Sequence, residues 1–277
     1  MSGNSSKKIA FNYFGGKFTW LEHLYVNFPA DFTHLCELFG GSLVVSLNYS
    51  GNVIKTVNEI NADITNFFEV LRDHESELTR LLLLTPCSEL EYNNCWICAD
   101  DKIEQARRFY VRVRQSFFGL GAQRKNKGWH LAKQKVNASG GETVSRWNNA
   151  IEKLHEIAEV LRSNFQIING SYEACIERLD CKTVLFYADP PYPEESRRSK
   201  NDYKFEFSDE DHRQLADRLH SVKGYAMVSG YDCPLMNELY ADWYKTILST
   251  KDNHIRADKV NEVIWTNYRP GRQQKLF

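Results

Sequence analysis

The chain has 277 residues, of which 42% are hydrophobic and 26% charged, and its formal net charge at pH 7 is −1. This length is enough for one large domain or a domain with a subdomain, and the apolar fraction predicts a packed core. No apolar run approaches the roughly 18 residues of a membrane-spanning helix, so the composition excludes a transmembrane protein and predicts no membrane partner.

The chain begins with alternating strands and helices. Strands are predicted at His34–Phe39 and Val53–Val57, and helices at Leu43–Tyr49 and Ile64–Leu71. This order predicts parallel strands in a doubly wound α/β sheet.

The alternation stops between residues 73 and 149. A helix is predicted at Leu78–Leu84, a loop at Pro86–Asn94, a basic helix at Asp101–Phe118 and a loop or small ribbon at Gly119–Gly141. We therefore predict an inserted, mainly helical subdomain over 73–149, within an α/β domain formed by 8–72 and 150–277.

Regular elements resume after the insertion. Helical periodicity covers Trp147–Leu161. Further strands are predicted at Phe165–Ile168, Val184–Ala188, Tyr225–Val228, Tyr244–Leu248 and Glu262–Asn267.

The small net charge hides an asymmetry. Residues 101–147 contain 11 Lys or Arg and three acids, a balance of +8, so the rest of the chain carries −9. A basic block inside an acidic protein indicates a polyanionic partner. Aromatic residues such as Phe109 and Trp129, together with glycines and polar side chains, interleave with the charges and favour a nucleic acid over a merely solvated helix face.

The seven cysteines are odd in number and irregular in spacing, which favours a reducing compartment and hence a cytoplasmic location. Cys95 and Cys98, with Cys87 upstream, have a spacing compatible with zinc. No second pair and no nearby His-x3-His accompany them, so we interpret them as ordinary thiols and predict no metal.

Gly40 and Gly41 follow the first predicted strand, where the absence of Cβ atoms permits a sharp turn and close approach to a ligand. The full G-x-G-x-x-G spacing is absent, which disfavours a dinucleotide. Glu59 lies 19 residues after Gly40, at the end of the next strand. An acid in this position typically accepts hydrogen bonds from ribose hydroxyls; the alternative is a favourable interaction with a helix dipole.

The most informative feature is Asp189-Pro190-Pro191-Tyr192, directly after an apolar strand. A carboxylate there can accept one N–H of an exocyclic amine, a carbonyl held by proline can accept the other, and the tyrosine ring can stack on the base. Together they would localise the lone pair of adenine N6, so that it attacks an electrophilic methyl group directly. Positioning and charge stabilisation would supply most of the rate.

These features together resemble the Dam-type DNA adenine N6-methyltransferases, from Phe11 to Tyr268 and in the element order of the family's α group. The resemblance is carried by Tyr13–Lys17, Glu37–Ser42, Asn58–Asn61, Arg108–Tyr110 with Ser116–Gly119, Phe186–Tyr192 and Glu262–Tyr268. Leu38 and Glu59 stand where the family usually has proline and aspartate, and we expect the ribose contact to survive the longer side chain.

The resemblance implies a Rossmann-like sheet that binds S-adenosylmethionine (AdoMet), and a subdomain that reads double-stranded DNA in a bacterial or phage-infected cell. The residues implied for AdoMet are Tyr13, Lys17, Glu37, Phe39, Gly40, Gly41, Ser42, Glu59, Ile60 and Asp189. The catalytic residues would be Asp189, Pro190, Pro191 and Tyr192.

We expect DNA contacts from basic residues of the insertion and of the segment after the tetrapeptide. The candidates are Arg112, Arg114, Arg124, Lys125, Lys127, Arg197 and Arg198. The alternative for Arg197 and Arg198 is a solvated loop. The tetrapeptide alone also leaves open methylation of cytosine N4, RNA adenine or a protein glutamine, and a catalytically silent DNA-binding protein on the same fold.

Overall fold

The structure of the protein is a computed structural model. It describes residues 7–13, 15–116, 128–131, 136–137, 140–196, 205–248 and 261–271. Within that part of the chain, no helix is long and apolar enough to cross a membrane.

The described residues contain the strands β1 (His34–Glu37), β2 (Ile54–Asn58), β3 (Val136–Asn137), β4 (Gly140–Gly141), β5 (Phe165–Ile168), β6 (Val184–Ala188), β7 (Tyr225–Tyr231), β8 (Tyr244–Leu248) and β9 (Glu262–Thr266). Seven of them form one sheet in the order β5-β2-β1-β6-β7-β9-β8. β1 is parallel to β2 and β6, and β6 is parallel to β7. β9 runs antiparallel to β7 and β8. The predicted α/β sheet of parallel strands is confirmed for β1, β2, β6 and β7, whereas β9 departs from it by running antiparallel to both neighbours.

The helices among the described residues are α1 (Leu21–Tyr25), α2 (Val44–Asn48), α3 (Ala62–Asp73), α4 (Glu75–Leu84), α5 (Glu89–Asn94), α6 (Lys102–Gln115), α7 (Glu142–Glu152), α8 (Leu154–Asn164), α9 (Tyr172–Leu179), α10 (Asp209–His220) and α11 (Pro234–Leu239). The loop predicted over 86–94 is wrong for residues 89–94, which form α5. Ser88 caps this helix by accepting from the Glu91 N–H, which satisfies a backbone donor of the first turn.

The chain divides into two compact units that interleave along the sequence. The first unit comprises Met1–Phe18, Gly41–Asn48 and Glu59–Asn169. The second comprises Thr19–Gly40, Tyr49–Asn58 and Gly170–Phe277. The division into an α/β domain and an insertion over 73–149 stays a prediction.

An aromatic cluster forms the core of the first unit. Phe11 is fully buried, and its ring lies 5.4–5.6 Å from those of Phe67, Phe68 and Phe109. The Tyr110 ring stacks on Phe67 at 5.2 Å. Because aromatic pairs combine large buried area with specific geometry, this cluster fixes α3 against α6.

Strands of the large sheet form the core of the second unit. All five residues of β6 are buried, as are the inner residues of β7 and all of β9. A strand buried on both faces reads as a continuous apolar run in the sequence, which is why β6 was predicted with its observed bounds.

Candidate active site

The sheet places Asp189 beside the carboxyl ends of two parallel neighbours. β6 lies between β1 and β7, and Ala188 pairs with Val228 at its last position. Asp189 and Ser229 are the next residues along β6 and β7, so the register brings them side by side. Ligands of open α/β sheets bind at this edge, beyond the carboxyl ends of the strands.

Ser229 holds the Asp189 carboxylate through a hydrogen bond. The buried Ser229 hydroxyl donates to Asp189 Oδ1 over 2.9 Å, with a longer 3.4 Å contact to the Ala188 carbonyl. The Tyr187 hydroxyl lies 3.0 Å from Ser229 Oγ. Burial, and next the charge of Asp189, raises the pKa of Tyr187 well above its ordinary value, so this hydroxyl keeps its proton. Since both partners of the Ser229 hydrogen are acceptors, Tyr187 donates to Ser229 and the chain of donors ends at Asp189.

Tyr192, at the other end of the tetrapeptide, is turned into the protein. Its side chain is only 6% exposed, and its hydroxyl donates to the Glu262 carboxylate. The ring packs edge-on against Tyr231, with centroids 4.6 Å apart. Pro190 between the two ends is also buried. This arrangement buries the ring that the sequence assigned to base stacking, and stacking of Tyr192 stays a prediction.

Glu37, Phe39 and Gly40 lie at the carboxyl end of β1. Glu37 is 3% exposed. The pKa of Tyr25 is raised mainly by the burial of Tyr25 itself and secondly by the negative charge of Glu37. The Phe39 ring lies 5.6 Å from the rings of Tyr172 and Phe207. These contacts hold the loop between β1 and Gly41 on the second unit.

Asn58 braces the same loop, and the sequence analysis assigned it no role. Its backbone carbonyl accepts from the Gly40 N–H over 2.8 Å. Its side-chain Nδ2 donates to the carbonyls of Leu38 and Gly170 over 3.1 and 3.0 Å. The available signal was an asparagine at the end of β2, because a buried amide needs several partners.

In the first unit, two backbone groups orient the Glu59 carboxylate. Oε2 accepts from the Gly41 N–H over 2.7 Å and Oε1 from the Asn61 N–H over 2.8 Å. Glu59 is 8% exposed. Each carboxylate oxygen has two acceptor positions, so an oriented carboxylate of this kind can also accept from a ligand hydroxyl.

Gly41 packs directly against Tyr13. Its φ is +50°, and a Cβ built on it would lie 2.9 Å from the Tyr13 ring. Lys17 is buried and donates from Nζ to the Gly15 carbonyl over 2.9 Å. Ser42 is also buried, whereas Ile60 is 53% exposed. The first unit therefore brings Tyr13, Gly41 and Glu59 together, as a ligand cradle requires.

The basic candidates divide into three groups. Arg112 is 6% exposed, pairs with Asp63 over 2.9 Å and lies over the Trp96 ring. A buried, paired guanidinium cannot reach a phosphate without breaking that pair, so we assign Arg112 to the fold instead of to DNA contact. Arg114 is less buried and donates to the Arg146 carbonyl over 3.3 Å. The others lie outside the described residues: Arg124, Lys125, Lys127, Arg197 and Arg198.

None of the seven cysteines forms a disulfide. Burial raises the pKa of the Cys95 thiol to about 12, so it is protonated at neutral pH. Among the described residues, no group of three or more His, Cys, Asp or Glu side chains is placed to hold a metal ion.

A protein-family model, described as the D12 class N6 adenine-specific DNA methyltransferase, matches residues 13–255. The chain belongs to this family. Membership makes the protein an enzyme and implies methylation of adenine in DNA. The mostly parallel seven-stranded sheet is consistent with a methyltransferase fold. A search of curated proteins found no match.

Sequence reasoning missed two residues whose side chains hydrogen-bond to the tetrapeptide of this methyltransferase, Ser229 and Glu262. Ser229 lies 40 positions after its partner Asp189, and Glu262 lies 70 positions after its partner Tyr192. A serine within the apolar run of β7 was a weak signal, because buried hydroxyls need partners. The sequence did not say which partner.

We predict that Gly41→Ala destabilises the protein. The left-handed φ costs an L-residue roughly 1–2 kcal/mol, and the new methyl group would also press on the Tyr13 ring. Gly128→Ala is the matched control, because a Cβ there meets nothing within 4 Å. Thermal unfolding monitored by circular dichroism measures both, and equal melting temperatures for the two variants would contradict the assigned geometry.

Proposed function

We propose that the protein is a site-specific DNA methyltransferase that transfers the methyl group of AdoMet to N6 of an adenine extruded from duplex DNA. The observation that carries this proposal is the Asp189 carboxylate, held by Ser229 at the carboxyl end of β6. The family match supports adenine and DNA as the substrate. The donor, the extrusion and the residue roles are the proposed part.

The first unit has the chemistry to hold AdoMet. The ribose of this molecule carries two vicinal hydroxyls, and the oriented Glu59 carboxylate offers them acceptor positions. Gly41 lets the backbone approach closely where a side chain would strike Tyr13. We also assign AdoMet contacts to Tyr13, Lys17, Ser42 and Ile60. The family resemblance adds Glu37, Phe39 and Gly40 to the AdoMet contacts. When bound, AdoMet supplies an electrophilic methyl group on a sulfonium.

Asp189 and the backbone of the tetrapeptide prepare the amine. The carboxylate accepts one N6–H and the Pro190 carbonyl accepts the other, which draws the nitrogen lone pair out of the ring system. The Ser229 bond fixes one carboxylate oxygen, so the direction of the remaining acceptor positions is set before the substrate arrives. Such preorganisation costs no rearrangement during reaction.

The target adenine must leave the duplex to reach these groups. Extrusion of a base costs a few kcal/mol of stacking and pairing. We propose that phosphate contacts offset part of this cost, and we assign them to Arg114 and to Arg124, Lys125, Lys127, Arg197 and Arg198.

Seven cysteines without a disulfide are compatible with action in the cytoplasm.

Asp189→Ala tests the catalytic assignment. We expect it to abolish methyl transfer from labelled AdoMet to unmethylated DNA, because it removes the acceptor for N6–H, while the melting temperature stays near that of the parent. Asp217→Ala, at an exposed position of α10, is the control and should keep full activity. Near-normal turnover of Asp189→Ala would remove Asp189 from catalysis.

DNA affinity should fall steeply with salt. Each phosphate contact releases counterions and contributes about 0.9 to the slope of log affinity against log salt. We predict that Arg114→Ala lowers this slope by about 1 and that Arg213→Ala, on α10 and paired with Glu238, leaves it unchanged. Fluorescence anisotropy with a labelled duplex over a salt series measures it; a flat response in the parent protein would contradict the phosphate contacts.

A further inference from the structure

A buried carboxylate, that of Glu262, lies behind the tetrapeptide. Glu262 is the first residue of β9, where it pairs with Tyr231 of β7 and Leu248 of β8. It is 8% exposed. Charged side chains are seldom buried unless they are paired, and one partner of Glu262 is the Tyr192 hydroxyl.

The hydrogen bond between these residues has a fixed direction. Burial, followed by the charges of Asp189 and Glu262, raises the pKa of Tyr192 well above its ordinary value. The phenol therefore keeps its proton and donates to the carboxylate. Hydrogen bonds to an ionised acceptor are roughly twice as strong as neutral ones, so this one is well suited to anchor a ring.

The tetrapeptide is consequently fixed at both ends. Ser229 of β7 holds Asp189, and Glu262 of β9 holds Tyr192. The Tyr231 ring closes the side of Tyr192 at 71° to it. The two residues between the anchors are prolines, whose φ angles are locked near −65°. Little freedom remains for the Pro190 carbonyl.

We propose that Glu262 is a positioning residue for methyl transfer: it acts through the Tyr192 hydroxyl to set the direction of the tetrapeptide backbone. The proposal rests on the proposed function. A leucine at 262 with a phenylalanine at 192 would bury the same place without desolvating a carboxylate. We therefore assign the contribution of the pair to positioning. A displacement of a reacting group by about 1 Å can lower the rate by roughly 100-fold.

A double-mutant cycle tests the proposal with Tyr192→Phe, Glu262→Leu and their combination. We expect each single variant to lower kcat by about 10- to 100-fold. The combination should lower it no further, because both changes remove the same hydrogen bond between residues 192 and 262. AdoMet affinity, measured by calorimetry, should stay within about 2-fold of the parent protein, since neither residue is assigned to the ribose site. Glu262→Gln keeps an acceptor and should lose less activity than Glu262→Leu.

The control is Glu177→Leu, at an exposed position of α9, with unchanged kcat expected. Multiplying losses in the double variant, parental kcat in Tyr192→Phe, or lost AdoMet affinity at parental kcat would each overturn the proposal. If Glu262→Leu does not fold, Tyr192→Phe and Glu262→Gln decide: a large loss in the first and a smaller one in the second support the positioning role. A parent protein that transfers no methyl group overturns the proposed function itself.

Discussion

The hydrogen bond from the Ser229 hydroxyl to the Asp189 carboxylate is the interaction on which the proposed chemistry depends. A carboxylate at the end of a strand can rotate about two side-chain torsions, and each rotation changes where its acceptor positions point. Ser229 removes that freedom, and Tyr187 behind it fixes the direction of the Ser229 hydrogen. A weakly nucleophilic aromatic amine needs hydrogen-bond acceptors in defined places. The hydrogen bonds from Tyr187 to Ser229 and from Ser229 to Asp189 hold one such acceptor, the Asp189 carboxylate, in a defined orientation.

The sheet explains why the bond can form. β6 and β7 are parallel neighbours, so their carboxyl ends reach the same edge and their next residues stand side by side. β9 runs the other way, and its first residue, Glu262, therefore meets the end of β7 at that edge. Groups 40 and 70 positions apart in the chain converge on four residues. Glu59 receives a similar backbone scaffold in the first unit from Gly41 and Asn61.

Local features of the fold could be predicted from the sequence. β5, β6 and β8 have the predicted bounds, because the composition of a short strand can be read from neighbouring residues alone. The family resemblance also rests on short contiguous motifs, and the family match confirms it. Ser88 followed by Glu91 was a capping signal for α5 that the sequence analysis passed over.

Contacts between distant segments could not be predicted in the same way. Ser229 and Glu262 become visible as partners only when strand order and register are known. Arg112 shows the converse: its charge suggested DNA, but its place on α6 buries it against Asp63 and Trp96. A sequence gives the charge of each side chain. Whether that side chain is exposed or paired depends on which face of its helix packs against the core.

The most direct measurement is a crystal structure of the protein with an unreactive AdoMet analogue and a duplex carrying its mapped target adenine. The account predicts an Asp189 carboxylate oxygen within about 3.2 Å of the adenine N6 atom, with the Ser229 bond still in place. A tetrapeptide turned away from the base, with that oxygen beyond hydrogen-bonding distance, would contradict it.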